Sequence, residues 1–294
     1  SIGIIFNSLF SEYSIGIQRF SFKILILLNK ILIILICKKI IDSLSTSNQK
    51  ELLFLIFTLS ALTLASFYEH VTPFHQRIFL YLIFTLMAFT IISSKSNNIF
   101  ILLITGSLSL ITVLFYWDIG TYVNAILCFV LIYLFIIKRY SDFYKILIGV
   151  ISSWILFLFL TPQNELREFI NQYMVIINIS DYLIGIEYPQ PFSDKSTRHT
   201  KALLLIIFSG ALLINYIFGN FKNENLQSKF LLFYLFISSI IFFKSGLMRS
   251  DSPHIKYTSG PYTLLIFFFI TYYFINITNK LNICNKIYKF FEKK

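Results

Sequence analysis

The sequence predicts an all-α fold: a polytopic bundle of membrane-spanning helices with one further helix lying along the membrane surface. Three observations lead there. The 294 residues are 56% hydrophobic and only 13% charged, with a mean hydropathy of +0.74. Soluble domains average about 25% charged residues. A folded core has no room for so much apolar surface, so the excess faces lipid. Finally, the apolar residues run in stretches of span length, with no strand-like alternation and no repeat of fixed period.

A spanning helix needs about 20 mostly apolar residues. Nine stretches qualify: 22–41, 51–68, 78–94, 99–116, 120–137, 144–161, 201–219, 227–243 and 261–279. They are read as one transmembrane domain over 1–294. The first stretch carries Lys30 near its middle. A lysine there is costly, and it either serves a function in a watery cleft or snorkels. The second and third stretches are joined by Glu69 to Arg77, with Pro73 placed in the connection because it would break a helix interior. The fourth and fifth are joined by a very short turn, Tyr116 to Gly120. The long connection is the outer loop 162–200. From Asn164 to Ile186, Glu165, Arg167, Glu168 and Asp181 interrupt Phe169, Tyr173, Ile176 and Ile177. That mixture suits a helix lying on the membrane. Pro189 to His199 reads as an ordered loop.

The net charge is +11. On a soluble chain this would suggest nucleic acid. Here it is better explained by the lysines and arginines that orient membrane proteins on the cytoplasmic side, so no nucleic-acid partner is assigned. Alternating spans with the C-terminal tail inside put fourteen of the 25 Lys and Arg residues inside and ten outside. The inner loops are short and the outer ones long, so the bias per residue is strong. This predicts an integral protein of the bacterial cytoplasmic (inner) membrane with a cytoplasmic C-terminus. The same alternation puts Ser1 outside, which predicts a further span upstream of it. Cys37, Cys128 and Cys284 are three, with no CxxC spacing. They are expected to be lipid- or core-facing thiols rather than disulfide or zinc ligands.

All four histidines, His70, His75, His199 and His254, and nine of the fourteen acids fall outside in this arrangement. An enzyme acting on an exported or lipid-tethered substrate would show that asymmetry. Long loops also collect polar residues without any function. The densest cluster runs from Lys244 to Tyr257, between the last two stretches. Arg249 offers a planar fork for phosphate and Lys256 adds charge. Asp251 and His254 suit proton transfer or metal binding, which leaves a divalent metal open as cofactor. The plain alternative is a polar turn in which Arg249 pairs with Asp251. A second cluster, Asp194, Lys195, Arg198 and His199, precedes the seventh stretch, where an anionic head group would lie. Interfacial anchoring explains those cations equally well. Asp118 is either a catalytic base or metal ligand, or the N-cap of the next helix. Walker A, GxGxxG, HExxH and GxSxG patterns are absent.

Gly246-Leu247-Met248-Arg249-Ser250-Asp251-Ser252-Pro253-His254 resembles an "LGRSDxxH" element of bacterial polytopic proteins related to membrane glycosyltransferases. Trp117-Asp118-Ile119-Gly120-Thr121-Tyr122 also looks like a turn from that group. With its short inner and long outer loops, most of the chain resembles the GT-C superfamily, whose relatives include protein mannosyltransferases and aminoarabinose transferases. The resemblance implies a polyprenyl-phosphate sugar donor in the membrane lipid and a glycan or lipid acceptor on the outer face, as in cell-envelope polysaccharide assembly. It also implies inverting transfer, in which a carboxylate deprotonates the acceptor and basic residues hold the leaving phosphate. In the superfamily a catalytic acid commonly sits in the first outer loop. Residues 1–21 hold only Glu12, a departure from that pattern. Asp118, Asp251 and His254 are therefore the catalytic candidates. Arg249, Lys256, Arg198 and His199 are the phosphate-binding ones. The rival readings are a polysaccharide polymerase or ligase, a transporter or flippase, and a non-catalytic membrane subunit. Transport is favoured by Lys30 but disfavoured by the lack of a repeat.

Overall fold

In an apolar medium every backbone N–H and C=O must be paired within the chain, which makes helices the natural form of these stretches. The computed structural model describes residues 15–44, 50–67, 72–94, 98–179, 191–192, 197–219, 224–248 and 258–280. They form ten helices: α1 (Ile15–Asp42), α2 (Lys50–Phe67), α3 (Thr72–Ser93), α4 (Ile99–Phe115), α5 (Trp117–Ile136), α6 (Tyr140–Leu160), α7 (Gln163–Ile179), α8 (Thr197–Phe218), α9 (Leu226–Met248) and α10 (Gly260–Lys280). No strand occurs among the described residues.

All nine expected stretches are helical. Five contain helix long and apolar enough to cross a membrane: Trp117–Ile136, Tyr140–Leu160, Arg198–Phe218, Leu226–Lys244 and Gly260–Ile277. That is the make-up of an integral membrane protein. Arg77–Ser93 and Ile99–Phe115 are apolar but shorter. The 17 residues of α4 rise about 26 Å, against a hydrocarbon thickness of about 30 Å. The 28 residues of α1 carry Arg19, Lys23, Lys30, Lys38 and Lys39.

Several boundaries differ from expectation for local reasons. α3 begins at Thr72, so Pro73 lies in its first turn instead of the loop. The missing N–H of proline costs nothing there. Likewise α5 begins at Trp117, and the connection to α4 shrinks to Tyr116 alone. The turn from α5 to α6 is made by Lys138, which takes a left-handed φ of 62°. Arg139 N–H then donates to the Leu134 carbonyl and Lys138 N–H to the Phe135 carbonyl, closing the helix end.

Packing is aromatic at the centre and backbone-close at one side. Phe57, Phe84, Phe89, Tyr216, Tyr234, Phe268 and Phe269 are fully buried. α9 runs antiparallel to both α3 and α5. Tyr81 and Tyr122 meet Phe242 near one end, Phe89 meets Tyr234 midway, and Tyr133 stacks on Phe230 near the other end. α4 and α6 cross at Gly106 and Gly149. A Cβ on Gly106 would lie 2.2 Å from the Ile146 carbonyl oxygen, and one on Gly149 would lie 2.3 Å from that of Leu103. Small residues permit such close approach in membrane bundles. Beside the crossing, Trp154 Nε1–H donates to Ser109 Oγ at 3.1 Å, and Ser109 donates to Asn124 Oδ1 at 2.5 Å. Asn124 Nδ2 donates to the Ser109 and Gly120 carbonyls. These polar groups satisfy one another where water is absent. The rest of α6 is barely covered, with Ile148, Ile151, Ile155, Leu158 and Phe159 exposed as a lipid-facing surface requires. Cys37 is buried and Cys128 exposed, in keeping with core- and lipid-facing thiols; Cys284 lies outside the described residues.

Candidate functional site at one end of the bundle

The antiparallel packing of α9 brings the start of α3, the start of α5 and the end of α9 to one end of the bundle. There the α3 residue Arg77 donates through Nη1 to Asp118 Oδ2 at 3.0 Å. The guanidinium also sits 5.3 Å from the centre of the Tyr116 ring, a cation–π distance. The Asp118 side chain is 16% exposed and that of Arg77 34%, so the pair is sheltered yet reachable from solvent. Burial raises the Tyr116 pKa above its ordinary value; Asp118 pushes the same way and Arg77 opposes. The phenol therefore stays protonated and can donate a hydrogen bond at neutral pH.

Asp118 is not the N-cap of its helix. That position is Tyr116, without a side-chain capping bond. Asp118 lies in the first turn, where its charge is favourable to the helix dipole and its carboxylate is turned to Arg77. The capping alternative is thus replaced by a tertiary ion pair across 41 residues of sequence.

α7 packs at the same end. Its half-buried positions Leu166, Phe169 and Tyr173 recur at helical spacing. Phe169 meets Phe157 edge-on at 5.5 Å, and Tyr173 meets Trp117 at 6.4 Å. The Tyr173 hydroxyl lies 3.0 Å from Thr121 Oγ1. The opposite face of α7 carries exposed Gln163, Asn164, Arg167, Glu168, Asn171 and Gln172. Of the helix expected to lie on the membrane over 164–186, Gln163–Ile179 is an amphipathic helix, and residues 180–186 lie outside the described residues.

On the other flank of α9, Phe243 packs with Ala202, Ile206, Tyr262 and Ile266 of α8 and α10. His199 lies three residues before Ala202 on the same face of α8 and is 1% exposed. Thr258, also buried, lies one turn before Tyr262. Of Arg198 and His199, expected to share a head-group site, Arg198 is exposed and His199 is not. His199 is enclosed between helices, because its position continues the buried stripe of Ala202 and Ile206. Phe242 faces the Arg77–Asp118 side and Phe243 the His199 side, so α9 stands between the two clusters.

Asp251, His254, Arg249 and Lys256 lie outside the described residues, as do Asp194 and His70. The side chain of His75 is likewise outside them. Among the described residues no three His, Cys, Asp or Glu side chains gather to hold a metal ion. Sequence reasoning missed Arg77 as the partner of Asp118, as well as Tyr116 and Tyr173. No spacing signal links residues 41, 52 and 56 positions apart, and each looks like an ordinary interfacial residue. Comparison with known protein families, curated proteins and solved structures found no match.

Proposed function

We propose that the chain is a membrane glycosyltransferase that moves a sugar from a polyprenyl-phosphate donor to an acceptor on the non-cytoplasmic face. The observation that carries this reading is the Arg77–Asp118 pair beside Tyr116, sheltered at the end of the bundle where an amphipathic helix also packs. Asp118 is the proposed general base, and Arg77 orients its carboxylate. The acceptor oxygen attacks the anomeric carbon, its proton passes to Asp118, and the bond from that carbon to the phosphate oxygen breaks. Arg249 and Lys256 supply positive charge for the departing lipid phosphate. Asp251 and His254 are the second candidate pair for proton transfer.

The test uses the purified chain in lipid nanodiscs with a set of polyprenyl-phosphate hexoses and glycan acceptors. Transfer is expected, and Asp118→Asn should lower it by roughly 10²–10⁴-fold, the usual worth of a positioned general base. Full activity in Asp118→Asn, with loss in Asp251→Asn, would move the base to the later loop. Absence of transfer with every donor would remove the enzymatic reading. A transport reading draws on Lys30, half-buried midway along α1, and on buried Glu224, which accepts from the Tyr272 hydroxyl at 3.0 Å. Movement of lipid-linked sugar across vesicles without transfer would favour it.

A further inference from the structure

We infer that the outward face of α7 is a binding groove for a neutral carbohydrate chain. An open recess of about 830 Å³ lies along it, comparable in volume to ligand sites of about 300–1,000 Å³. Its described lining comes from α7 alone, at positions that recur in adjacent pairs every four residues. From Gln163 to Gln172 this ridge extends about 13 Å, long enough for a short oligosaccharide.

The chemistry of the lining selects the ligand class. Gln163, Asn164, Asn171 and Gln172 are all primary amides. Each amide both donates and accepts, which matches hydroxyl groups that do the same. Arg167 and Glu168 cancel in charge, and the acid would repel a polyphosphate. Glu168 Oε1 accepts from Gln172 Nε2 at 3.2 Å, and the Gln172 amide oxygen remains an acceptor suited to a sugar hydroxyl. Val175 closes one end of the ridge and gives an apolar contact for the C–H face of a sugar ring.

The helix is held from behind. Phe169 on Phe157 and Tyr173 on Trp117 anchor it to α6 and α5, so the amides are presented on a supported element instead of a loose loop. Trp117 is also the neighbour of Asp118. An acceptor chain lying along α7 would thus be retained at the end of the bundle that carries the proposed base. That acceptor role rests on the transferase reading; the carbohydrate binding does not.

The experiment is calorimetric titration of the intact protein in an amine-oxide detergent, since alkyl maltosides would compete. The probes are chitotetraose, maltotetraose and isomaltotetraose, with a heparin tetrasaccharide and glycerophosphoglycerol as anionic counterparts. Saturable binding of at least one neutral oligosaccharide is expected, weakened about tenfold or more by the double variant Asn171→Leu/Gln172→Leu. Both residues are exposed, and an unchanged melting curve confirms that the variant is folded. The Asp118→Asn variant should bind the same sugar within about twofold. Loss of transfer in that variant bears only on the transferase reading, and its absence leaves the groove standing. The inference is overturned if no neutral oligosaccharide saturates, if the double variant binds as well as the parent, or if either anionic probe binds more tightly.

Discussion

Replacing Gly149 with alanine tests the closest contact in the bundle. The new Cβ would stand 2.3 Å from the Leu103 carbonyl oxygen and 3.0 Å from both the Cα and carbonyl carbon of Leu103. Even close carbon–oxygen contacts are about 3.3 Å, so α4 and α6 must separate by about 1 Å. A gap of that size forfeits a quarter to a half of the dispersion energy of each atom pair it opens. It also stretches the link from Ser107 Oγ to the Gly149 carbonyl, already 3.4 Å, and that from Trp154 to Ser109 at 3.1 Å. Overpacking of a close contact costs about 1–3 kcal/mol, and interhelical hydrogen bonds in membranes about 0.6 kcal/mol each. The expected loss is therefore about 2–4 kcal/mol, an apparent Tm lower by roughly 5–12 °C. Gly106→Ala should behave alike, since its Cβ meets the Ile146 carbonyl oxygen at 2.2 Å. The double variant should cost less than the sum, because one methyl already opens the crossing. Gly260→Ala is the control, with nothing within 4 Å of its Cβ. Thermal unfolding in micelles gives the readout. Melting of both crossing variants within about 2 °C of the control would refute the account of a backbone-to-backbone seam.

Three other outcomes follow from named contacts. Arg139 binds Asp142 and donates from Nη1 to the Ile91 carbonyl at 2.9 Å. Arg139→Ala therefore strips the end of α3 and removes the ion pair of a buried acid, lowering stability by about 2 kcal/mol in the same melting assay. Lys138→Gly relieves the left-handed turn residue and, net of glycine's greater unfolded freedom, should raise stability by about 0.5 kcal/mol. Phe169→Ala together with Tyr173→Ala removes both aromatic anchors of α7. Hydrogen exchange over residues 163–179 should rise by at least tenfold while the α4–α6 amides are unaffected; uniform exchange throughout would show that α7 is not separately anchored.

The helical character was legible because its cause is composition. Stretches of Ile, Leu and Phe with few charges cannot be covered by so short a chain, and helix is the form that satisfies their backbone in lipid. The amphipathic α7 was legible for the same reason, since Phe169 and Tyr173 recur among acids and amides. Span length was less so. Among the described residues, five of the nine stretches meet the length and hydropathy of a crossing helix; in the fourth, closing a turn on one residue, Tyr116, sets where α4 stops. That Asp118 stands between the fourth and fifth apolar stretches was readable, but its partner was not. An N-cap and a tertiary ion pair use the same residue type, and only the approach of α3 decides between them.

Sequence alone determined that this protein is a helical membrane bundle and where its apolar stretches lie. Those are local properties, set by side-chain hydrophobicity and backbone hydrogen bonding within each stretch. Tertiary structure decided that Arg77 meets Asp118, that His199 is enclosed while Arg198 is exposed, and that Gly106 and Gly149 mark a crossing. Each of these depends on which helices neighbour one another and in which direction they run. That choice is made by the fit of buried faces such as Phe242 between Tyr81 and Tyr122, and no single stretch carries it.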